Sequence, residues 1–334
     1  MAQEDNAVAV GCVSDNNLST HAAVMLQSLI SSYEPSVDKT IDVYFVDAGI
    51  CKENADSIKN ICNKNKVNIK WIEPDKSMFS DLHVPEWLSH AAYYRLILPK
   101  IAYKEHKRLI YLDVDMVVQS DVTELWSTNL GENIIGAVQS YEEPQIGMRD
   151  KSSVEYYQEI GYCKDTPMFN SGLLLIDLKK WISNDTSAKA VEACRDAGNR
   201  VKLADQDGLN IVLHNKWKKL DRRWNVCYCV GFDRRVNRRK MIKEINPLIT
   251  HYVGSTDPMD PHCRHPVRVA FLKHLRQSGY YSPRDFMLLL LGLQSRRCAR
   301  MVDQSLRSAS RSSRQVLANL LPTSLRKILL PHDS

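Results

Sequence analysis

The sequence of 334 residues predicts an α/β fold with a largely parallel sheet and a helical C-terminal appendage. Two patterns carry this reading. From Ala7 to Leu213 short β-rich apolar runs alternate with stretches of helical spacing. After about Pro266 the chain changes to Leu- and Arg-rich segments with almost no acid. A hydrophobic fraction of 44% with 25% charged residues is that of an ordinary globular chain and excludes disorder throughout.

The elements follow in order. Ala7 to Ser14 (AVAVGCVS) is a buried strand feeding the polar turn Asp15-Asn16-Asn17. Thr20 to Ser31 is helical, with Ala23, Leu26 and Ile30 on one face. Ile41 to Val46 and Val67 to Ile72 read as strands around a helix from Lys52 to Asn63. Tyr93 to Leu98 reads as a helix stopped by Pro99. Arg108 to Val118 (RLIYLDVDMVV) is the strongest strand signal, interrupted by two aspartates. Ile134 to Val138, Gly172 to Asp177 and Leu248 to Thr250 are further strands, and Lys189 to Arg195 and Asp207 to Leu213 are helices. Pro283 to Val302 and Arg314 to Leu330 complete the appendage, so the division falls at 1–265 and 266–334.

The N-terminal stretch MAQEDNAVAVGCVSD is acidic and lacks the apolar core of a secretory signal, and no run approaches the roughly 18 apolar residues of a spanning helix. The expectation is a cytoplasmic protein or one peripheral on the inner face of a membrane. Residues 264–334 hold thirteen Lys or Arg against three Asp or Glu, so a basic tail follows a mildly acidic body. Such a tail suits an anionic membrane surface; a helical cap with a solvated face is the alternative. Nine cysteines show no CxxC pair; Cys227, Cys229 and Cys263 with His262 and His265 match no common zinc module. No nucleic-acid module is present.

The chemistry centres on Asp113-Val114-Asp115. The two carboxylates end an apolar run that should be buried, where uncompensated charge costs several kcal/mol. A divalent cation such as Mn²⁺ or Mg²⁺ would compensate it. Solvated loop carboxylates are the alternative. His251 follows a strand-like run and is either a third ligand or structural. Asp205 is either a helix cap or a functional acid, and Asn170-Ser171 is either a turn or part of a site. Lys216 to Lys240 carries ten basic residues against two Asp, with Trp217, Trp224 and Tyr228 interleaved; it is a sugar- or phosphate-binding segment or a solvated loop.

Six segments in order resemble the retaining family-eight glycosyltransferases, which include bacterial lipopolysaccharide galactosyl- and glucosyltransferases and, more distantly, glycogenin. They are VSDNN (13–17), AAYYRLILP (91–99), YLDVDMVV (111–118), FNSGLLLIDLKKW (169–181), LADQDGLN (203–210) and HYVG (251–254). The resemblance implies a GT-A fold, a Rossmann-like mixed sheet flanked by helices, and a UDP-sugar-dependent hexosyltransferase. It implies Mn²⁺ or Mg²⁺ as cofactor, UDP-galactose or UDP-glucose as donor, and a glycan or glycolipid acceptor such as lipopolysaccharide core. It casts Val13, Asp15 and Asn17 as nucleoside contacts, Arg95 as reaching the donor, and Val114 as lying between the metal ligands Asp113 and Asp115, which His251 completes. Asn170, Ser171, Asp205 and Gln206 would line the donor sugar, Asp205 and Gln206 being the catalytic candidates, and Gly254 would approach the diphosphate. The family often reads HYxGxxKPW where this chain has HYVGSTDPM, so Asp257 stands in place of a lysine. A diphosphate beside that acid would bind less well, unless Arg222, Arg223 or Arg234 supplies the missing cation. A catalytically weakened relative, acting as a binding or scaffold protein, is therefore the rival reading. A nucleotidyltransferase is disfavoured, since no Gly-rich, Lys-bearing phosphate loop follows the first strand.

Overall fold

The computed structural model describes residues 7–34, 40–75, 77–86, 88–140, 145–200, 202–227, 244–253, 257–260, 263 and 267–291. Its strands are β1 (Ala7–Ser14), β2 (Thr40–Asp47), β3 (Asn68–Ile72), β4 (Arg108–Leu112), β5 (Met116–Val118), β6 (Ile135–Gln139), β7 (Phe169–Asp177), β8 (Trp217–Lys219), β9 (Val226–Cys227) and β10 (Ile249–His251). Seven form one sheet in the order β3-β2-β1-β4-β7-β6-β8, and β5-β10-β9 form a second. In the large sheet only β7 runs antiparallel to its neighbours. The sheet is thus largely parallel, as the alternation of elements implies, with one reversed strand.

That reversal positions the site. β1 and β4 are parallel and pair Gly11 with Tyr111, so Val13 and Asp113, two residues further along, reach the same edge. β7 runs the other way and pairs Leu173 with Leu112, so its first residues reach that edge too. Three chain segments therefore converge at the carboxyl ends of β1 and β4, where open α/β sheets bind ligands. β1 is buried along its whole length, as its unbroken apolar run requires.

Several elements differ from the sequence reading, each for a local reason. Arg108 to Val118 is two strands in two sheets: β4 pairs with β1 and β7, whereas β5 pairs antiparallel with β10. The two aspartates make the turn between them. Pro99 does not stop the helical segment; it sits in the first turn of the helix Leu98–Ala102, where a missing N–H is harmless, after a 3₁₀ turn at Arg95–Ile97. β7 begins at Phe169, so Asn170 and Ser171 are strand residues rather than a turn. The helix Asp205–Val212 has Ala204 at its N-cap, so Asp205 is its first helical residue rather than its cap. Helices Lys151–Glu159 and Leu178–Ser183 and strands β8 and β9 carry no clear sequence signal.

Helix Thr186–Ala197 packs tightly on the helix Asp205–Val212. A side-chain carbon at Gly208 would lie 2.5 Å from the Ala190 carbonyl oxygen and 2.5 Å from Cys194 Sγ, so only glycine fits there. At the other end of the chain, Phe271 and Leu275 of the helix Arg268–Ser278 pack with Phe286, Tyr252, Val117 and Val24. Residues 283–291 are helical, and Met287, Leu288 and Leu291 point outward. The remaining appendage, 292–334, lies outside the described residues, as do Gly254, Cys229, His262, His265 and the part of the Lys216–Lys240 segment from 228 onward.

Candidate active site

Asp113 and Asp115 flank Val114 in the turn between β4 and β5, and His251 ends β10 beside Met116. One ligand atom from each of Asp113, Asp115 and His251 lies within 4.8 Å of the others. His251 Nε2 is 3.0 Å from Asp115 Oδ1 and 3.8 Å from Asp113 Oδ2. The other oxygen of Asp113 is already occupied: Tyr111 donates its hydroxyl to Oδ1 at 2.7 Å, and Arg95 Nη2 lies 3.1 Å away. Asp113 therefore turns its Oδ2 toward the imidazole.

The far side of the imidazole fixes its tautomer. Nδ1 lies 3.0 Å from Asn225 Oδ1, and the Asn225 amide donates at 2.7 Å to Asn170 Oδ1, which also accepts the Gly172 N–H at 3.0 Å. Nδ1 must then carry the hydrogen, leaving the Nε2 lone pair for a cation. Burial opposes a charge on His251, but Asp115 beside it outweighs burial and lifts the imidazole pKa well above its ordinary value. Burial likewise works against the Asp115 carboxylate, yet His251 holds its pKa below the ordinary value. The pair holds a proton where a metal would sit.

Arg95 joins this cluster to a second one. Its Nε is 3.0 Å from Asp205 Oδ2, its Nη1 donates to the Ser171 carbonyl at 2.9 Å, and its plane lies over the Tyr111 ring at 4.5 Å. Asp205 is almost fully buried. Burial pushes its carboxyl up to about 7, with Arg95 pulling it down and Asp113 adding to the rise. Gln206 is held by its Oε1, which accepts the Ser171 N–H at 2.9 Å.

Asp207, the last residue of the DQD segment, holds the other two in place from beneath. Its carboxylate pairs with Arg149, both side chains being fully buried, and accepts the N–H groups of Lys202 and Leu203 at 2.8 and 2.9 Å. The chain then turns through Ala204 at φ 48°, a conformation an L-residue adopts only when its surroundings impose it, and delivers Asp205 and Gln206 to the site.

The donor set fits a divalent metal. Asp113 and Asp205 pair with the Arg95 guanidinium while Asp115 faces His251, and two carboxylate ligands with one imidazole suit a divalent cation such as Mn²⁺. The backbone makes room for it. A side-chain carbon at Gly172 would lie 2.5 Å from His251 Cε1, 2.7 Å from Asp113 Oδ2 and 2.9 Å from Asn170 Oδ1. A cavity of about 450 Å³ opens beside the cluster, lined by Val13, Asp15, Asn17, Arg95 and the Asp113–Asp115 turn among others.

The sequence model of the family described as "Glycosyl transferase family 8" matches residues 10–258. The chain belongs to that family. Family members it resembles include a lipopolysaccharide 1,2-glucosyltransferase of Escherichia coli, 28% identical over 238 residues, covering 68% of this chain and 67% of that protein. General stress protein A of Bacillus subtilis is 26% identical over 282 residues, covering 82% and 94%. A crystal structure of the galactosyltransferase LgtC in complex with donor and acceptor sugar analogues superposes with a TM-score of 0.66 at 24% identity, covering 84% of this chain and 100% of that one. At that identity the superposition shows the fold, a GT-A sheet flanked by helices.

Set against the family-eight expectations, the structure brings Val13, Asp15, Asn17, Arg95, Asp113, Val114 and Asp115 to one cavity, with His251 against its acidic end. Asn170, Ser171, Asp205 and Gln206 join them through Arg95 and Asn225. Asp15 also has a structural task, its Oδ1 accepting the N–H groups of Asn17 and Leu18 at 3.0 and 3.1 Å. Asp257 has partners of its own: its Oδ1 is 3.1 Å from His21 Nε2 and accepts the Met259 N–H at 2.7 Å. Arg223 is turned to the Asn246 carbonyl at 3.1 Å, and Arg234 lies outside the described residues.

Sequence reasoning missed Tyr111, Gly172, Asn225 and Arg149. Tyr111 was accessible: two residues before Asp113 on a strand, it shares that residue's face. Gly172 stands inside the matching FNSGLLLID segment, but its need for close approach is visible only once His251 is opposite. Asn225 and Arg149 sit in no pattern.

Proposed function

We propose that this chain is a metal-dependent hexosyltransferase that moves galactose or glucose from a UDP-sugar to a glycan acceptor with retention of configuration. Lipopolysaccharide core or another cell-surface glycan is the acceptor class, on the strength of relatives such as the E. coli lipopolysaccharide 1,2-glucosyltransferase. The observation that carries the reading is the Asp113–Asp115–His251 cluster at the end of a cavity whose other wall is the Asp15–Leu18 loop. A nucleoside against that loop would place its diphosphate beside the cluster.

Asp113, Asp115 and His251 would hold the metal, which as a Lewis acid stabilises the charge that develops on the departing diphosphate. Asn225 and Asn170 keep His251 in the metal-binding tautomer. Arg95 holds Asp113 and Asp205 at fixed separation and adds a positive charge beside the diphosphate site. Asp205 Oδ2 is engaged by Arg95 and by the Ser171 hydroxyl at 3.4 Å, so Asp205 is suited to orient sugar hydroxyls and to steady a developing oxocarbenium charge. That favours attack by the acceptor on the face the diphosphate leaves, with Gln206 beside it. By the family resemblance, Gly254 would let backbone approach the diphosphate.

We take residues 1–265 as the catalytic unit and 266–334 as a basic appendage that brings it to the anionic inner face of a membrane. No helix among the described residues is long and apolar enough to cross a membrane, and Met287, Leu288 and Leu291 give the appendage an outward apolar face. Sedimentation with anionic vesicles, lost on deletion of residues 283–334, is the check. Unchanged sedimentation would remove the membrane role.

The weakened-relative reading rests on Asp257, whose carboxylate lies beside His21. The deciding experiment is UDP release from a panel of UDP-sugars with and without Mn²⁺, wild type against Asp113→Ala/Asp115→Ala. Metal-dependent release from one donor, abolished in the double variant, is expected. Mn²⁺-dependent UDP binding with no release from any donor, even with glycan acceptors present, would return the weakened-relative reading.

A further inference from the structure

Three consecutive residues in the first turn of the helix Ser19–Ser32 are fastened to residues far along the chain, two of them in the C-terminal segment. Tyr280 donates its hydroxyl to Ser19 Oγ at 2.9 Å. The Tyr281 hydroxyl lies 3.2 Å from Thr20 Oγ1, and His21 Nε2 lies 3.1 Å from Asp257 Oδ1. This turn continues directly from the loop Asp15–Leu18, which lines the cavity beside the acidic cluster.

The Ser19 hydroxyl is the hub. A hydroxyl has one donor and two acceptor positions. Here the donor goes to the Asn16 carbonyl at 2.8 Å, while Asn54 Nδ2 at 3.2 Å and Tyr280 at 2.9 Å take the acceptor positions. Asn54 also donates to Asn16 Oδ1 at 3.0 Å, and the Cys51 N–H reaches the same oxygen at 3.0 Å. The loop is thus held at Asn16 from both backbone and side chain, and Tyr280 sets the direction in which the Ser19 hydroxyl points. Tyr280 is itself placed by the end of its helix. Gly279 turns the chain at φ 66°, and the Tyr280 N–H donates to Ser278 Oγ at 3.1 Å.

We propose that Tyr280 and Tyr281 are positioning residues for the nucleotide, making the segment after residue 266 a working part of the donor site. The inference rests on the reading of the Asp15–Leu18 wall as the nucleoside site. Without the Tyr280 hydroxyl, Ser19 Oγ keeps only the Asn54 donor and is aimed less firmly at the Asn16 carbonyl. The loop then spends part of its time in conformations that do not bind, and apparent affinity falls by the lost fraction.

Mn²⁺-dependent UDP affinity, measured by calorimetry on the full chain, tests this. Tyr280→Phe should weaken UDP binding about two- to tenfold, the range for one hydrogen bond, and Tyr281→Phe by about the lower limit. KM for the UDP-sugar should rise with kcat unchanged. Because Tyr280 and Asn54 act through the same oxygen, Tyr280→Phe and Asn54→Ala should combine non-additively. Wild-type affinity in Tyr280→Phe, with or without a lowered Tm, would reduce the contact to a fastening of the appendage and overturn the proposal. A wild-type chain that binds Mn²⁺ but no UDP would instead overturn the donor-site reading, and this inference with it.

Discussion

Replacing Gly172 by alanine tests the metal centre at the one place where backbone alone makes room for it. The added carbon would sit 2.5 Å from His251 Cε1, and ordinary contact begins at 3.4 Å, so the imidazole or the strand must yield by about 0.9 Å. Neither is loose. His251 is held by Asn225 and Asp115, and the Gly172 carbonyl accepts the Asp113 N–H at 2.8 Å. Metal distances tolerate about 0.2 Å, so a displacement several times larger should cost at least as much as loss of a supporting hydrogen bond, about 10- to 100-fold in affinity. That corresponds to about 1.4–2.7 kcal/mol. Manganese titration followed by electron paramagnetic resonance gives the affinity directly. Gly136→Ala supplies the control, since its added carbon would meet Leu130 and Leu220 at 3.0 Å, remote from the cluster. Wild-type Mn²⁺ affinity in a folded Gly172→Ala protein would refute the assignment of the site.

Three other outcomes are expected. Asn225→Ala should lose about 10- to 100-fold in Mn²⁺ affinity by releasing the His251 tautomer, whereas Asn225→Asp, which keeps an acceptor at Nδ1, should retain most of it; equal losses in both would refute the tautomer argument. Asp205, pushed up from 3.8 to about 7, keeps its proton in the fold at pH values where the unfolded chain has lost it. Its contribution to metal-free stability is therefore full below about pH 4 and is lost as pH rises toward 7. Thermal unfolding of Asp205→Asn should show a shallower decline over that window than wild type, and identical slopes would count against the buried carboxyl. Asp257→Asn should leave UDP affinity within about twofold, because His21 already faces the charge; a severalfold gain would show that Asp257 repels the diphosphate.

What could be read from sequence was what depends on local pattern. The buried run Ala7–Ser14 and the apolar stretch ending at Asp113 locate the two central strands, and with them the edge where the site lies. The division of 108–118 into two strands was not legible, because both halves are equally apolar. What separates them is the pairing of Val118 with Ile249, a partner far along the chain. Asn170 and Ser171 carry turn-like side chains, yet they stay in β7 because Asn225, Gln206 and Arg95 satisfy them there. Asn225 and Arg149 gave no signal at all, since a lone polar residue acquires its meaning only from the buried partner it meets.

The two ends of the cavity are built differently, and that difference has consequences for how the site works. The acidic turn is tied by backbone to both sheets: Asp113 N–H to Gly172 in the large sheet, and Tyr252 N–H to the Asp115 carbonyl at the end of the small one. Backbone ladders on both sides leave this turn little freedom, so the proposed metal ligands stand nearly assembled in the free chain. The Asp15–Leu18 wall is held instead by side-chain hydroxyls, amides and a carboxylate, each worth about 1 kcal/mol net. An equilibrium of that size is shifted by small perturbations, and one of the groups that sets it, the Tyr280 hydroxyl on Ser19, lies in the C-terminal segment. Substitutions at the supports of the acidic cluster should therefore cost about 10- to 100-fold in Mn²⁺ affinity, while those at Tyr280 and Tyr281 should cost about two- to tenfold in UDP affinity, which makes the appendage a place where donor affinity can be tuned.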